Sequence, residues 1–246
     1  MTALVRAELI KLRTTRMAWG TLVATVLLTG AGLALHLVNA GRAGTPSLGT
    51  GESAVAILSA PGWTAFAALL LGIVTVTAEY RYRTVSTTLL VTPRRDQVVI
   101  AKMAAATLAG TVVALVGLAM SLIVAVPTGA LTEAGGNAAV GATVLGVLIT
   151  IPLYALLGAA FATIVTNQTV AVAAGLLWFL VGETLLGSFG FRFLQRWTPG
   201  GATAAIAQSP ELTNPLPPWV GVALLIAYAV ALAGVGTVRM VRRDVA

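Results

Sequence analysis

Cysteine is absent from the 246 residues, which excludes disulfides, thiolate metal sites and cysteine nucleophiles. Histidine occurs once, as His36, so no histidine cluster can form. The two aspartates, Asp96 and Asp244, both lie outside the apolar runs, which removes an intramembrane aspartyl pair. Three hydrolytic signatures are also missing: H-E-x-x-H, G-x-S-x-G and the phosphate-binding G-x-x-x-x-G-K-[ST]. Lys11 is followed by Leu12 and Lys102 by Met103, so neither lysine fits the last of these. The sequence therefore predicts no enzyme, and in particular no ATPase site of its own.

Charge of either sign is scarce. Only 9% of residues are charged, against about 25% in soluble domains, and 58% are hydrophobic. So little charge cannot cover a surface in water, and the surrounding solvent must be largely lipid. Six apolar stretches, at about 17–38, 55–78, 103–126, 139–165, 169–187 and 219–238, approach or exceed the roughly 20 residues that cross a bilayer. They are continuous rather than alternating, so helices satisfy the backbone and a barrel does not. The first is longer than the core of a secretory signal, about 7–15 residues, and reads as a retained helix. The expectation is an all-α polytopic membrane protein, 1–246 forming one six-helix domain. Pro61 and Pro152 are expected to bend the second and fourth helices.

What charge there is sits unevenly. With the N-terminus inside, the inner segments hold twelve of the fifteen Lys and Arg residues, and the outer ones hold Arg42, Arg192 and Arg196. The positive-inside rule then places both termini in the cytoplasm. The net charge of +7 thus reads as a topology signal, with no nucleic acid implied. The N-terminal "ALVRAELIKLRTTRMAW" is weakly amphipathic, with Val5, Leu9 and Leu12 on one face and Ile10 off it. It suits either the inner interface beside anionic membrane lipid or a plain positive anchor.

Glu183 is the one ionisable residue deep in an apolar run. A charged carboxylate near the bilayer centre costs roughly 2–4 kcal/mol on insertion scales. It is either a polar group in a substrate path or a helix-end or interhelix hydrogen bond, with Arg192 and Arg196 as available partners. Small residues repeat four apart at Ala101, Ala105 and Ala109 and at Ala223, Ala227 and Ala231, rows that allow close helix approach. The stretch 188–218 mixes apolar residues with Gly and Pro and suits a short helix in or along the outer leaflet.

Three stretches, in order, resemble the permease subunit of type-two ATP-binding-cassette transporters, of the small six-helix kind common in actinobacteria. They are "AELIKLRTTR", "EYRYRTVSTTLLVTPRRDQVVIAK", and "NQTVAVAAGLLWFLVGETLLGSF" with "RWTPGGATAAI". The resemblance implies that the loop between the second and third helices packs as a short coupling helix into a groove on a separate ATPase subunit, which holds the ATP and magnesium. By that likeness Glu79, Arg81, Thr84, Thr87, Thr88, Pro93, Arg94 and Arg95 are coupling residues. The family's path, lined by the second and fifth helices, implies Phe66, Trp178 and Glu183. A second permease copy or relative, export of a lipid, drug or other amphipathic cargo, and a bacterial plasma membrane location follow from the same likeness. A non-transporting scaffold that recruits a cytoplasmic partner is the alternative. One departure stands out: Arg83 occupies the place where the family usually has Gly, which argues against a tight turn there.

Overall fold

Residues 2–42, 44–84, 94–133, 138–207 and 216–242 are described in the computed structural model, apart from the side chains of Arg95, Glu133, Arg192 and 240–242. They form α1 (Thr2–Thr14), α2 (Arg16–Asn39), α3 (Gly51–Ser59), a 3-10 turn (Ala60–Thr64) and α4 (Ala65–Arg81). Next come α5 (Arg95–Ala125), α6 (Ala130–Glu133), α7 (Ala138–Ile164), α8 (Gln168–Leu177), a π turn (Trp178–Gly182) and α9 (Glu183–Ser188). α10 (Arg192–Gln195), α11 (Pro199–Ile206) and α12 (Pro218–Arg242) complete the order. All regular structure among the described residues is helical.

Six spans are long and apolar enough to cross a membrane: Arg16–Asn39, Gly51–Arg81, Asp96–Ala125, Ala138–Ile164, Gln168–Ser188 and Pro218–Arg239. The third starts earlier than hydropathy alone suggests. Its first turns, "RDQVVIAK", read as polar, yet Val98, Val99 and Ala101 are buried and Lys102 finds acidic partners. The second and fourth spans are the centre, 67% and 61% buried over their most apolar windows, while the fifth is 11% buried.

The first span is inside-out by the standards of a soluble helix. Its buried face is Thr21, Thr25, Thr29 and Leu33, and Trp19, Val23 and Leu27 are exposed. In lipid, large apolar side chains gain nothing from hiding, and small residues that let helices approach take the interior. The hydroxyls of Thr21 and Thr25 donate to the carbonyls of Met17 and Thr21, so these two residues bury no unmet donor.

The central crossing depends on two glycines. A Cβ at Gly72 would collide with the Ala155 carbonyl oxygen, and one at Gly158 with the Leu69 carbonyl oxygen. Backbone therefore meets backbone where α4 crosses α7, as small-residue packing in membranes requires. Ala101 and Ala105 are likewise buried within the chain, whereas Ala223, Ala227 and Ala231 are exposed on α12. Pro61 lies in the 3-10 turn that joins α3 to α4. Pro152 sits within α7, which stays helical through it. A Cβ at Gly110 on α5 would come 2.9 Å from the Pro152 Cα, so the glycine makes room for this part of α7.

Candidate functional site

Hairpin connectivity puts six span ends at one end of the bundle: the start of α2, the end of α4, the start of α5, the end of α7, the start of α8 and the end of α12. α1 joins them there. Thr15, at the α1–α2 junction, is extended (φ −86°, ψ 141°), which breaks the helix and turns α1 back against α5. Of the face read from the sequence, Leu12 is buried and Val5 and Leu9 are half-buried, while Ile10, off that face, is 55% exposed. Buried on the same face, unforeseen, is Glu8.

Glu8 belongs to a closed ring of four charges. Lys102 Nζ lies 2.8 Å from Glu8 Oε2 and 2.7 Å from Glu79 Oε1. Lys11 Nζ lies 2.7 Å from Glu8 Oε1 and 2.7 Å from Glu79 Oε1. Two ammonium groups and two carboxylates alternate, so the ring is neutral. It bridges three elements: α1 through Glu8 and Lys11, the last turn of α4 through Glu79, and the second turn of α5 through Lys102. Three members are nearly buried, and the Lys11 side chain, 47% exposed, closes the ring toward solvent. Burial alone lowers the Lys11 pKa, but hydrogen bonds and charge from Glu79 and Glu8 outweigh it and raise it above 10.5. Isolated buried charges are prohibitively costly, so such a ring persists only because each member has opposite-charge partners.

The sequence offered one signal for this ring. Lys11 and Lys102 are the chain's only lysines, set against thirteen arginines. A compact ammonium with rotatable donors can sit between two carboxylates where a planar guanidinium fork would not fit.

Beyond the ring, the end of α4 is closed by its backbone. The Thr84 amide donates to the Glu79 carbonyl at 2.9 Å, and the Arg83 amide to the Tyr80 carbonyl at 3.3 Å. This paired pattern ends a helix on a left-handed residue. Arg83 supplies it at φ 56°, the only positive-φ residue other than glycine among those described. The tight turn expected to be lost with Arg83 is thus formed, and the arginine carries its strain. Arg81 Nη1 donates to Gln168 Oε1 at 3.2 Å, fastening the same helix end to α8. Asn167 caps α8 by accepting from the Val170 amide at 3.2 Å.

Of the coupling candidates, the structure thus gathers Glu79, Arg81 and Thr84 at the end of α4. Glu79 is 8% exposed and turned into the ring. Arg94 is exposed at the start of α5, 3.9 Å from Asp96. Arg95 is the first residue of α5. Thr87, Thr88 and Pro93 lie outside the described residues.

The three path candidates lie toward the opposite end. Phe66, at the start of α4, faces Phe179 with ring centroids 5.1 Å apart, and Phe179 meets Tyr154 edge-on at 6.0 Å. Thr203 on α11 donates to the Tyr154 hydroxyl at 3.1 Å. Glu183 follows the π turn directly and accepts from the Gly200 amide at 2.7 Å. Trp178, half-exposed, opens the π turn. Of the two sequence readings of Glu183, the helix-end bond is therefore formed, but to the first turn of α11. Arg196 instead stacks on Phe193 and Trp197, at 4.2 and 5.6 Å from the ring centroids. A Cβ at Gly200 would collide with the Glu183 carboxylate, so "PGG" is what lets the carboxylate reach the helix start. The glycines thereby explain a motif that composition alone left open.

Among the described residues no group of three or more His, Cys, Asp or Glu is placed to hold a metal ion. The family model described as "ABC-2 family transporter protein" matches residues 4–189. That stretch holds the whole ion quartet, all the coupling candidates and all the path candidates. No curated protein matches the chain.

Proposed function

The chain belongs to the ABC-2 family of transporter proteins, and from that premise we propose that it is the membrane-spanning permease of an ATP-driven exporter. Its cargo is a lipid, drug or other amphipathic molecule, and a separate ATPase subunit supplies the energy. Two permease copies, or this chain and a relative, pair to give twelve spans in a bacterial plasma membrane, with all termini cytoplasmic.

The observation that carries this reading is the family match over residues 4–189, which takes in five of the six spans, in a chain with no phosphate-binding loop. Three further features support its details. The twelve-to-three bias of basic residues favours a cytoplasmic 82–94 loop. The end of α4 has the fastenings expected of a place that receives force: a side-chain ring, a backbone cap and a bond to α8. The fifth span, scarcely packed within its own chain, leaves a face for a second copy.

In this reading the loop docks on the ATPase through Thr84, Thr87, Thr88, Pro93, Arg94 and Arg95. Glu79 and Arg81 fix the helix end behind it. Phe66, Trp178 and Glu183 face the cargo on its way out. Co-expression of the chain with an ATPase subunit bearing its own nucleotide site tests the docking. The two should co-purify, and Arg94→Glu with Arg95→Glu should abolish the association. Undiminished association of that variant contradicts the loop assignment. A recovered ATPase whose activity is never matched by cargo movement would favour the scaffold alternative.

A further inference from the structure

The ion quartet does more than offset buried charge. Its members come from three elements that the backbone leaves separable. α1 is hinged at the extended Thr15, α4 ends at Arg81, and α5 starts after the loop. Glu8 uses both oxygens, one toward each lysine, while Glu79 Oε1 accepts from both. Each lysine therefore bridges the same two carboxylates, and no element can shift without stretching at least two charged bonds inside a poorly solvated site. The apolar seat of α1 is modest, with Leu12 as its one buried large residue.

We infer that Glu8, Lys11 and Lys102 are positioning residues that clamp α1, the end of the second span and the start of the third into one rigid unit. A displacement delivered to the second span through the 82–94 loop then carries α1 and the third span with it. This inference rests on the permease reading for the source of the displacement but not for the clamp itself.

The native absence of cysteine allows labels to be placed without removing any. Ile10 on α1 and Ile100 on α5 are 55% and 52% exposed. Spin labels at Ile10→Cys and Ile100→Cys report the spacing of the two elements by pulsed electron resonance. In the purified chain the distance distribution should be single and narrow, and it should broaden in Glu79→Gln and in the milder Lys11→Met. Equal widths in the parent and both variants would overturn the clamp. In the complex, trapping ATP on the partner should leave the parent distance unchanged. A shift above about 2 Å, the upper size of an ordinary interface helix shift, would also overturn it.

The functional arm separates positioning from simple stability. Lys11→Met, folded and still associated, should hydrolyse ATP at the parent rate, with transport of a fluorescent phospholipid probe per ATP falling about fivefold or more. A parent-like transport ratio would refute the positioning role. If no ATPase binds while the free-chain widths behave as stated, the permease reading fails and the clamp stands.

Discussion

Lys102 and Glu8 stand 94 positions apart in the sequence and 2.8 Å apart in the fold. Nothing local brings them together: one lies on a short helix ahead of the first span, the other two turns into the third. Their contact is the longest-range link in a ring that makes the fold around the 82–94 loop a single construction.

Removing Lys102 leaves Glu8 and Glu79 facing one another with only the half-exposed Lys11 between them. Breaking a buried pair by deleting one partner costs about 3–5 kcal/mol. Lys102→Met should lower thermal stability in detergent by that order, and Lys102→Arg should also lose stability because the planar fork cannot replace the ammonium. Melting curves equal to the parent's for Lys102→Met would show the ring to be incidental.

The pH dependence of the ring has a definite sign. The Lys11 pKa is raised above 10.5 in the fold. Its charge therefore contributes stability that is fully present below 10.5 and is lost as pH rises through the folded value. The stability gap between the parent and Lys11→Met should be constant from neutral pH to about 10 and should close only above 10.5. Melting temperatures across pH check this, and a gap that closes between pH 6 and 9 would contradict the raised value.

Arg83 is strained where glycine would not be. A side chain in the left-handed region costs roughly 1–2 kcal/mol, and no other described non-glycine residue incurs it. Arg83→Gly should raise stability by about 1 kcal/mol, and Arg83→Ala, which keeps the Cβ, should not reproduce the gain. Denaturant or thermal unfolding of the three proteins side by side decides it.

Glu183 and Gly200 form a pair in which each fits the other. Glu183→Gln retains an oxygen for the Gly200 amide and should stay within about 1 kcal/mol of the parent, whereas Glu183→Ala leaves that amide unmet at a cost of about 1–3 kcal/mol. Gly200→Ala should destabilise by a similar amount, and less so in the Glu183→Ala background, because the clash is with the carboxylate itself. Unchanged transport by Glu183→Gln would take the carboxylate's charge out of the cargo path.

The six spans were legible because lipid enforces long apolar runs, and that constraint survives in a single sequence. The early start of the third span was not, since "RDQVVIAK" is polar by hydropathy and is helical because Lys102 meets two distant carboxylates. Glu79 was singled out by the family resemblance, but its partner Lys11 lies 68 positions away, its partner Lys102 lies on another span, and no periodicity announces either. Arg83 shows the reverse failure. Its residue type argued against the turn, and the Thr84–Glu79 and Arg83–Tyr80 bonds nonetheless impose it. The partner of Glu183 was sought among arginines, whereas a helix start freed by two glycines supplies a backbone donor.

We propose that this chain conducts cargo only when a separate nucleotide-hydrolysing subunit drives the end of its second span. Vesicles reconstituted with the chain and its ATPase should translocate a fluorescent phospholipid analogue when ATP is added, and vesicles holding the chain alone should not. Translocation by the chain alone, at the same rate with or without ATP, would contradict the account.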